Sequence, residues 1–189
     1  MARPPGPRQL AFALPHAENF SRADFLEAPS NASALHLIER WPDWPGRVVA
    51  LAGPVGSGKS HLASIWADLS GARFLSARAL GETHLPSALA TGALVVEDVS
   101  GDRLDERPLF HLINLVWEQA AYLLVTAQTP PAGWKVQLAD LASRLRALPV
   151  LSIAAARRIV DLLDREGLRL KRPVTRALAV EVLRREASA

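Results

Sequence analysis

The sequence of 189 residues contains no cysteine, one methionine, one tyrosine and only three lysines, against nineteen arginines. Without cysteine the chain forms neither a disulfide nor a thiolate metal site, which fits a reducing compartment. The sequence also lacks an apolar segment of signal-peptide length at its start and any run of about 20 apolar residues that could span a membrane. These absences favour a soluble cytoplasmic protein with no membrane partner.

Short apolar runs and helix-like segments alternate along the chain. The β-rich runs predict strands over residues 47–53, 72–77, 92–100, 121–127 and 148–153. Apolar residues at helical spacing predict helices over residues 31–40, 59–69, 107–120, 154–166 and 173–187. Strands that alternate with helices indicate an α/β fold, in which helices cover both faces of a parallel sheet.

Residues 53–60, Gly-Pro-Val-Gly-Ser-Gly-Lys-Ser, match the phosphate-loop pattern G-x-x-x-x-G-K-[ST] in full. Glycines let the backbone turn its N–H groups toward phosphate oxygens, and the following helix adds its positive N-terminal end. Lys59 would reach the β- and γ-phosphates, and Ser60 would ligate Mg²⁺. The alternative is a flexible turn, but a strand enters the loop, a helix leaves it, and a rare lysine stands where one is required. The predicted nucleotide contacts in this segment are Gly53, Pro54, Val55, Gly56, Ser57, Gly58, Lys59, Ser60 and His61.

Two acids follow the apolar part of the third predicted strand. A phosphate loop needs an acidic partner at the end of a neighbouring strand, to hold Mg²⁺ and to orient water. We assign Glu97 to the metal and Asp98 to the water, although the order could be reversed. The alternative is an acidic strand end that only faces solvent.

Residues 123–131, LLVTAQTPP, followed by residues 138–145, LADLASRL, resemble the AAA+ module of the DnaA-related family, in particular its short Hda-type regulators. The resemblance extends from the N-terminal arm to about residue 150. It implies an AAA+ P-loop NTPase with a five-stranded parallel sheet flanked by helices, which binds ADP or ATP with Mg²⁺. Only a short, or incomplete, C-terminal helical lid fits after Ile153.

The resemblance also implies roles for single residues. Arg144 matches the arginine finger, which acts across a subunit boundary on a neighbour's nucleotide, and its alternative is an ordinary surface arginine. Gln128 stands at the sensor 1 position, where the family usually has Asp, and its alternative is a loop amide with no role. Asn31 ends a segment similar to the one that leads into the adenine pocket, which implies that it contacts the nucleotide. A basic lid residue, sensor 2, would be Arg157 or Arg158.

Residues 8–15, RQLAFALP, resemble the short peptides that bind the replication sliding clamp. Gln9 would offer an amide hydrogen bond, and Leu10, Phe12 and Leu14 would fill apolar pockets. The alternative is an arm that folds back on its own domain.

The resemblance to Hda-type proteins implies a negative regulator of replication initiation, which stimulates ATP hydrolysis by DnaA through Arg144 while the sliding clamp holds it on DNA. The expected domains are an arm (1–20), an AAA+ domain (21–153) and a lid remnant (154–189). The partners implied are DnaA and the clamp, with a possible homodimer and no sequence-specific DNA binding, because a helix-turn-helix domain has no room. The alternatives are an autonomous AAA+ ATPase of helicase-loader type and a small P-loop kinase.

Overall fold

The computed structural model describes residues 20–154, 157–170 and 175–187. Within them five parallel strands form one sheet in the order β2-β3-β4-β1-β5. The strands are β1 (Val48–Ala52), β2 (Arg73–Ser76), β3 (Ala93–Val99), β4 (Tyr122–Ala127) and β5 (Val150–Ser152). All five predicted strands are therefore confirmed, and the sheet is the parallel one expected. The carboxyl ends of β3, β1 and β4 lie at one edge, where ligands of open α/β sheets bind.

The described part of the chain contains seven α-helices. They are α1 (Ala32–Glu39), α2 (Lys59–Ser70), α3 (Leu85–Ala88), α4 (Glu106–Glu118), α5 (Ala139–Ala147), α6 (Arg157–Leu170) and α7 (Arg176–Ala187). The helices predicted near residues 31, 59, 107, 154 and 173 are confirmed. The sequence reading did not predict α3 or α5 as helices, since both are short.

Apolar side chains form a separate core on each face of the sheet. One core joins alternate residues of the central strands, such as Leu94 and Leu123, to the buried faces of α4 and α5. The other joins the intervening residues, such as Val95 and Leu124, to α1 and α2. Strands buried on both faces read as continuous apolar runs, which is why β1 and β3 were recognisable.

A third, smaller apolar cluster belongs to α6 and α7. Leu163, Leu178, Ala179 and Val182 form it, and Leu26 from the segment before α1 packs against it. The predicted end of α6 at residue 166 is wrong, because the helix continues to Leu170 with Gly167 buried inside it. None of the helices in the described ranges has the length and hydropathy needed to cross a membrane.

Candidate nucleotide-binding site

The predicted phosphate loop joins β1 to α2 and depends on its glycines. Gly56 and Gly58 have φ angles of +75° and +95°, in the left-handed region that favours glycine. A Cβ atom on Gly53 would lie 2.5 Å from the carbonyl oxygen of Ile153 and 2.8 Å from Ser57 Oγ, closer than atoms can pack. The backbone conformation at two positions and close packing at the third therefore require the glycines of the motif.

Lys59 begins α2 and turns its side chain back into the loop. Its ammonium is buried and donates hydrogen bonds to the carbonyl oxygens of Gly53 and Pro54, both at 2.8 Å. Burial lowers the pKa of Lys59, while the negative charge of Asp98 acts in the opposite direction. Two of the three ammonium protons are thus bound inside the loop, at the positive end of a helix.

Two serines of the loop differ in their surroundings. The Ser57 side chain is buried, and its Oγ has no hydrogen-bond partner among the described residues. Buried hydroxyl groups are almost always hydrogen-bonded, so this atom fits a site that is completed by a ligand oxygen. Ser60 lies in the first turn of α2 and is exposed, as a metal ligand approached from solvent would be.

The two acids at the end of β3, Glu97 and Asp98, lie where the strand is no longer regular. The pairing of β3 with β4 is irregular between Val96 and Val99, and Asp98 has a φ angle of +56°. The Asp98 N–H donates to Thr126 Oγ1 of β4 at 3.1 Å, which holds this irregular backbone. Asp98 is exposed and is the acid whose charge acts on Lys59, whereas Glu97 is half-buried opposite Ser76 of β2.

Asp98 and Gln128 line the same cleft, which has a volume of about 360 Å³. Gln128 directly follows β4 and is exposed. The Trp134 indole N–H donates to both oxygens of Thr129 at 3.2 Å, and its ring packs against Gly101, where a Cβ would come within 2.7 Å. The remaining lining residues are Val99, Ser100, Asp102, Gly133 and Lys135. The sequence reading missed Trp134 and Lys135, whose loop carries no recognisable spacing.

The segment before α1 lies against the phosphate loop. His61 Nε2 is 2.8 Å from the carbonyl oxygen of Ser21, and the rings of Phe20 and Phe25 meet the imidazole edge-on at 5.3 and 5.0 Å between centroids. Phe25 also borders Gly58, since its ring lies 3.5 Å from a Cβ built there. The two aromatic residues were not singled out from the sequence, although a Phe on each side of the mostly polar residues 21–24 was a usable signal.

Asn31 is buried, and its amide is occupied by the backbone of the same segment. Its Oδ1 accepts a hydrogen bond from the Ala28 N–H at 2.8 Å, and its Nδ2 donates to the Leu26 carbonyl at 3.0 Å. The predicted contact between Asn31 and the nucleotide stays a prediction. Asn31 braces the segment that carries Phe25 and Leu26.

Arg144 lies in the last turn of α5, and its side chain is half-buried. Its guanidinium carbon is 5.4 Å from the centroid of the Phe110 ring in α4. Arg157 and Arg158 begin α6, and the sensor 2 role suggested for one of them stays a prediction. The predicted clamp-binding residues Gln9, Leu10, Phe12 and Leu14 lie outside the described residues.

No protein-family model and no curated protein sequence matches this chain. Solved structures do. The chain superposes on a DNA replication initiation factor with a TM-score of 0.63 at 15% identity, over 87% of this chain and 59% of that one. It superposes on the replication initiator DnaA bound to AMPPCP and single-stranded DNA with a TM-score of 0.61 at 17% identity, over 87% and 59%. For domain III of DnaA from Thermotoga maritima the values are 0.57 and 16%, over 85% and 78%.

These similarities show the fold. The chain has the α/β fold found in the replication initiator DnaA, which confirms the expected five-stranded parallel sheet flanked by helices. The chain covers 59% of the length of each of the first two structures. The residues that form the phosphate loop here occupy the β1–α2 junction expected for this fold.

Proposed function

We propose that this chain binds an adenine nucleotide, ADP or ATP, at the phosphate loop. The observation that carries the proposal is the presence in one loop of the buried Lys59 ammonium and the buried Ser57 hydroxyl. The hydroxyl has no hydrogen-bond partner among the described residues. A cation, a free hydroxyl and a helix N-terminus that meet at one loop match the charge and the acceptor atoms of phosphates. Lys59 has one ammonium proton left to donate to a phosphate oxygen.

Mg²⁺, when bound with the nucleotide, supplies positive charge that bridges phosphate oxygens. Ser60 is the proposed ligand from the loop. Asp98, whose charge acts on Lys59, is the acid that we place beside the phosphates, with Glu97 as the second acid. The division between Glu97 at the metal and Asp98 at the water stays a prediction.

The adenine would lie against the segment that contains Phe20 and Phe25. His61 connects this segment to α2, so the pocket wall and the phosphate loop are held as one unit. Asn31 acts by bracing the segment. This arrangement suits a nucleotide that is retained and sets the shape of the subunit, rather than one that is rapidly turned over. Gln128, an amide where the resembling family usually has an acid, supports the same view.

We also propose that the chain regulates replication initiation as Hda proteins do, by stimulating ATP hydrolysis in a neighbouring DnaA. Arg144 would reach the partner's γ-phosphate, and its permanent charge would stabilise the negative charge that develops there. The arm with Gln9 would tether the chain to the sliding clamp on DNA. The resemblance over residues 123–145 and the half-exposed position of Arg144 support this role.

The test measures ATP hydrolysis by ATP-loaded DnaA in the presence of the clamp on DNA and each variant of this chain. We expect Arg144→Ala to retain ADP binding and to lose stimulation by about 100-fold or more, as when an arginine finger is removed. Arg146→Ala is the matched control, since Arg146 is exposed in the same helix turn. Gln9→Ala should lose only the part of the stimulation that depends on the clamp.

Two results would contradict the regulatory role. Full stimulation by Arg144→Ala would show that Arg144 does not act as an arginine finger. Rapid ATP turnover by the chain alone, with no effect on DnaA, would identify an autonomous ATPase instead.

A further inference from the structure

The N-terminal turns of α4 contact α5 at two points, and both contacts act on the helix that carries Arg144. The first contact is made by Glu106, the first residue of α4. Its Oε1 accepts a hydrogen bond from the Gln137 N–H and its Oε2 accepts one from the Leu138 N–H, each at 2.8 Å. One carboxylate therefore holds two consecutive backbone groups at the start of α5.

This carboxylate binds the backbone immediately before α5. The N-cap residue of α5 is Leu138, whose side chain has no hydrogen-bonding atom. A negative charge at the N-terminus of a helix is favourable because the backbone N–H groups there carry partial positive charge. Glu106 thus fixes where α5 begins, and the position of Arg144 along the helix follows from that.

The second contact is made by Phe110, one turn after Glu106 and on the same side of α4. Its ring is half-buried against the core that includes Leu141 and Leu145 of α5. The Arg144 guanidinium lies over this ring, with its central carbon 5.4 Å from the ring centroid. A guanidinium over an aromatic face keeps its charge and its outward N–H groups while it loses freedom of rotation.

We propose that Glu106 and Phe110 are positioning residues for Arg144, which hold the guanidinium in the orientation that a neighbouring AAA+ subunit receives. This inference rests on the proposed function of Arg144. A free arginine side chain loses its rotamer freedom when it docks on a phosphate, and a stacked one has lost most of it beforehand. Because the guanidinium acts on charge that develops during hydrolysis, its restricted rotation raises the maximal stimulation rather than the affinity for the partner.

The first experiment titrates each variant against ATP-loaded DnaA and separates the maximal stimulated rate from the concentration that gives half of it. We expect Phe110→Leu to lower the maximal rate by about two- to five-fold, the rate equivalent of an exposed cation–π contact, with the half-maximal concentration unchanged. Phe110→Tyr should retain the wild-type rate. Phe74→Leu is the matched control, since Phe74 is an exposed phenylalanine on the edge strand β2.

The same titration tests Glu106. Glu106→Ala leaves two backbone N–H groups at the start of α5 without their acceptor, and the maximal rate should fall by about three- to ten-fold. Glu106→Gln retains an oxygen acceptor and should recover part of this loss. Glu118→Gln, at the opposite end of α4 and exposed, should have no effect.

A spectroscopic measurement reports the stack directly. In a ¹H–¹⁵N spectrum of the full chain, the Arg144 Nε–Hε resonance, identified by its absence in Arg144→Lys, should be displaced by the ring current of Phe110. Phe110→Leu should move it to the position of a solvent-exposed arginine, and Phe110→Tyr should not.

The outcomes distinguish the inference from the proposal beneath it. Loss of stimulation in Arg144→Ala together with a wild-type maximal rate in Phe110→Leu and Glu106→Ala would overturn the positioning role alone. A higher rate in Phe110→Leu would also overturn it, because the ring would then restrain the finger from acting. Full stimulation by Arg144→Ala would overturn both.

Discussion

The phosphate loop and the surface around Arg144 are held in place by different interactions. At the loop, the ammonium of Lys59 is buried, two glycines have left-handed backbone, and a Cβ at Gly53 would overlap a neighbouring carbonyl. Around Arg144, one carboxylate binds the backbone just before α5 and one half-buried ring supports a guanidinium. The loop accepts one backbone conformation, whereas the Arg144 surface depends on a few separable contacts.

The difference matches the task that we propose for each region. A site that retains a nucleotide benefits from a rigid enclosure that is complete within one chain. A residue that acts on a neighbour's nucleotide has to remain accessible, so it can only be supported from beneath and from the side. Substitutions at the loop should therefore have large effects on several properties at once, and those around Arg144 should have graded effects on one.

The largest effect is expected for Lys59→Ala. The substitution removes the loop's cation and its hydrogen bond to phosphate, each charge-assisted bond being worth about 1.5–3 kcal/mol, so affinity for ADP should fall by about 100-fold or more. Isothermal titration calorimetry with ADP and Mg²⁺ measures this. Arg47→Ala, a cation at the opposite end of β1, is the control and should bind normally. Retained affinity in Lys59→Ala would mean that the nucleotide is bound elsewhere.

Gly53→Ala tests the enclosure itself. The added methyl group would lie 2.5 Å from the Ile153 carbonyl oxygen and 2.8 Å from Ser57 Oγ, so the loop and the end of β5 must move apart. Overpacking of this kind should lower the free energy of unfolding by about 3 kcal/mol and weaken ADP binding by about ten-fold. Gly46→Ala, where a methyl group meets its nearest atoms at 3.9 Å, should change neither property. An unaltered urea midpoint for Gly53→Ala would show that the loop is loosely packed.

The same contrast explains what could be predicted from the sequence. The phosphate loop was predictable because its backbone requires glycine at fixed positions and its chemistry requires Lys59. The strands were predictable because burial on both faces leaves uninterrupted apolar runs. The role of the Glu106 carboxylate could not be recognised, because its partners are backbone N–H groups 31 and 32 residues away in the sequence.

Asn31 shows a limit of a different kind. The resemblance placed this residue near the adenine pocket, and it does lie in the segment that packs on α2 through Phe25 and His61. Sequence cannot tell whether an amide points toward a ligand or toward its own backbone, since both uses need the same residue type. The irregular pairing of β3 with β4 at Glu97 and Asp98 also has no recognisable signal in the sequence.

The smallest effect is expected for Asn31, and its variants distinguish bracing from direct contact with the nucleotide. Asn31→Ala leaves the Ala28 N–H and the Leu26 carbonyl without their partner, which should lower the free energy of unfolding by about 1–2 kcal/mol and weaken ADP binding by a few-fold. Urea unfolding and ADP titration measure the two effects. Asn114→Ala, in α4, is the matched control.

Asn31→Asp separates the two roles, because it keeps the oxygen that accepts from Ala28 but places a second oxygen, which cannot donate, against the Leu26 carbonyl in a buried position. If Asn31 is a brace, stability should fall at least as far as in Asn31→Ala, and ADP affinity should fall in proportion to it. If its amide contacts the nucleotide, the new negative charge should weaken ADP binding by much more than the loss of stability accounts for. If Asn31 is a brace, the adenine pocket depends on the whole segment before α1. The affinity of the chain for ADP should then follow the free energy of unfolding from one variant to the next.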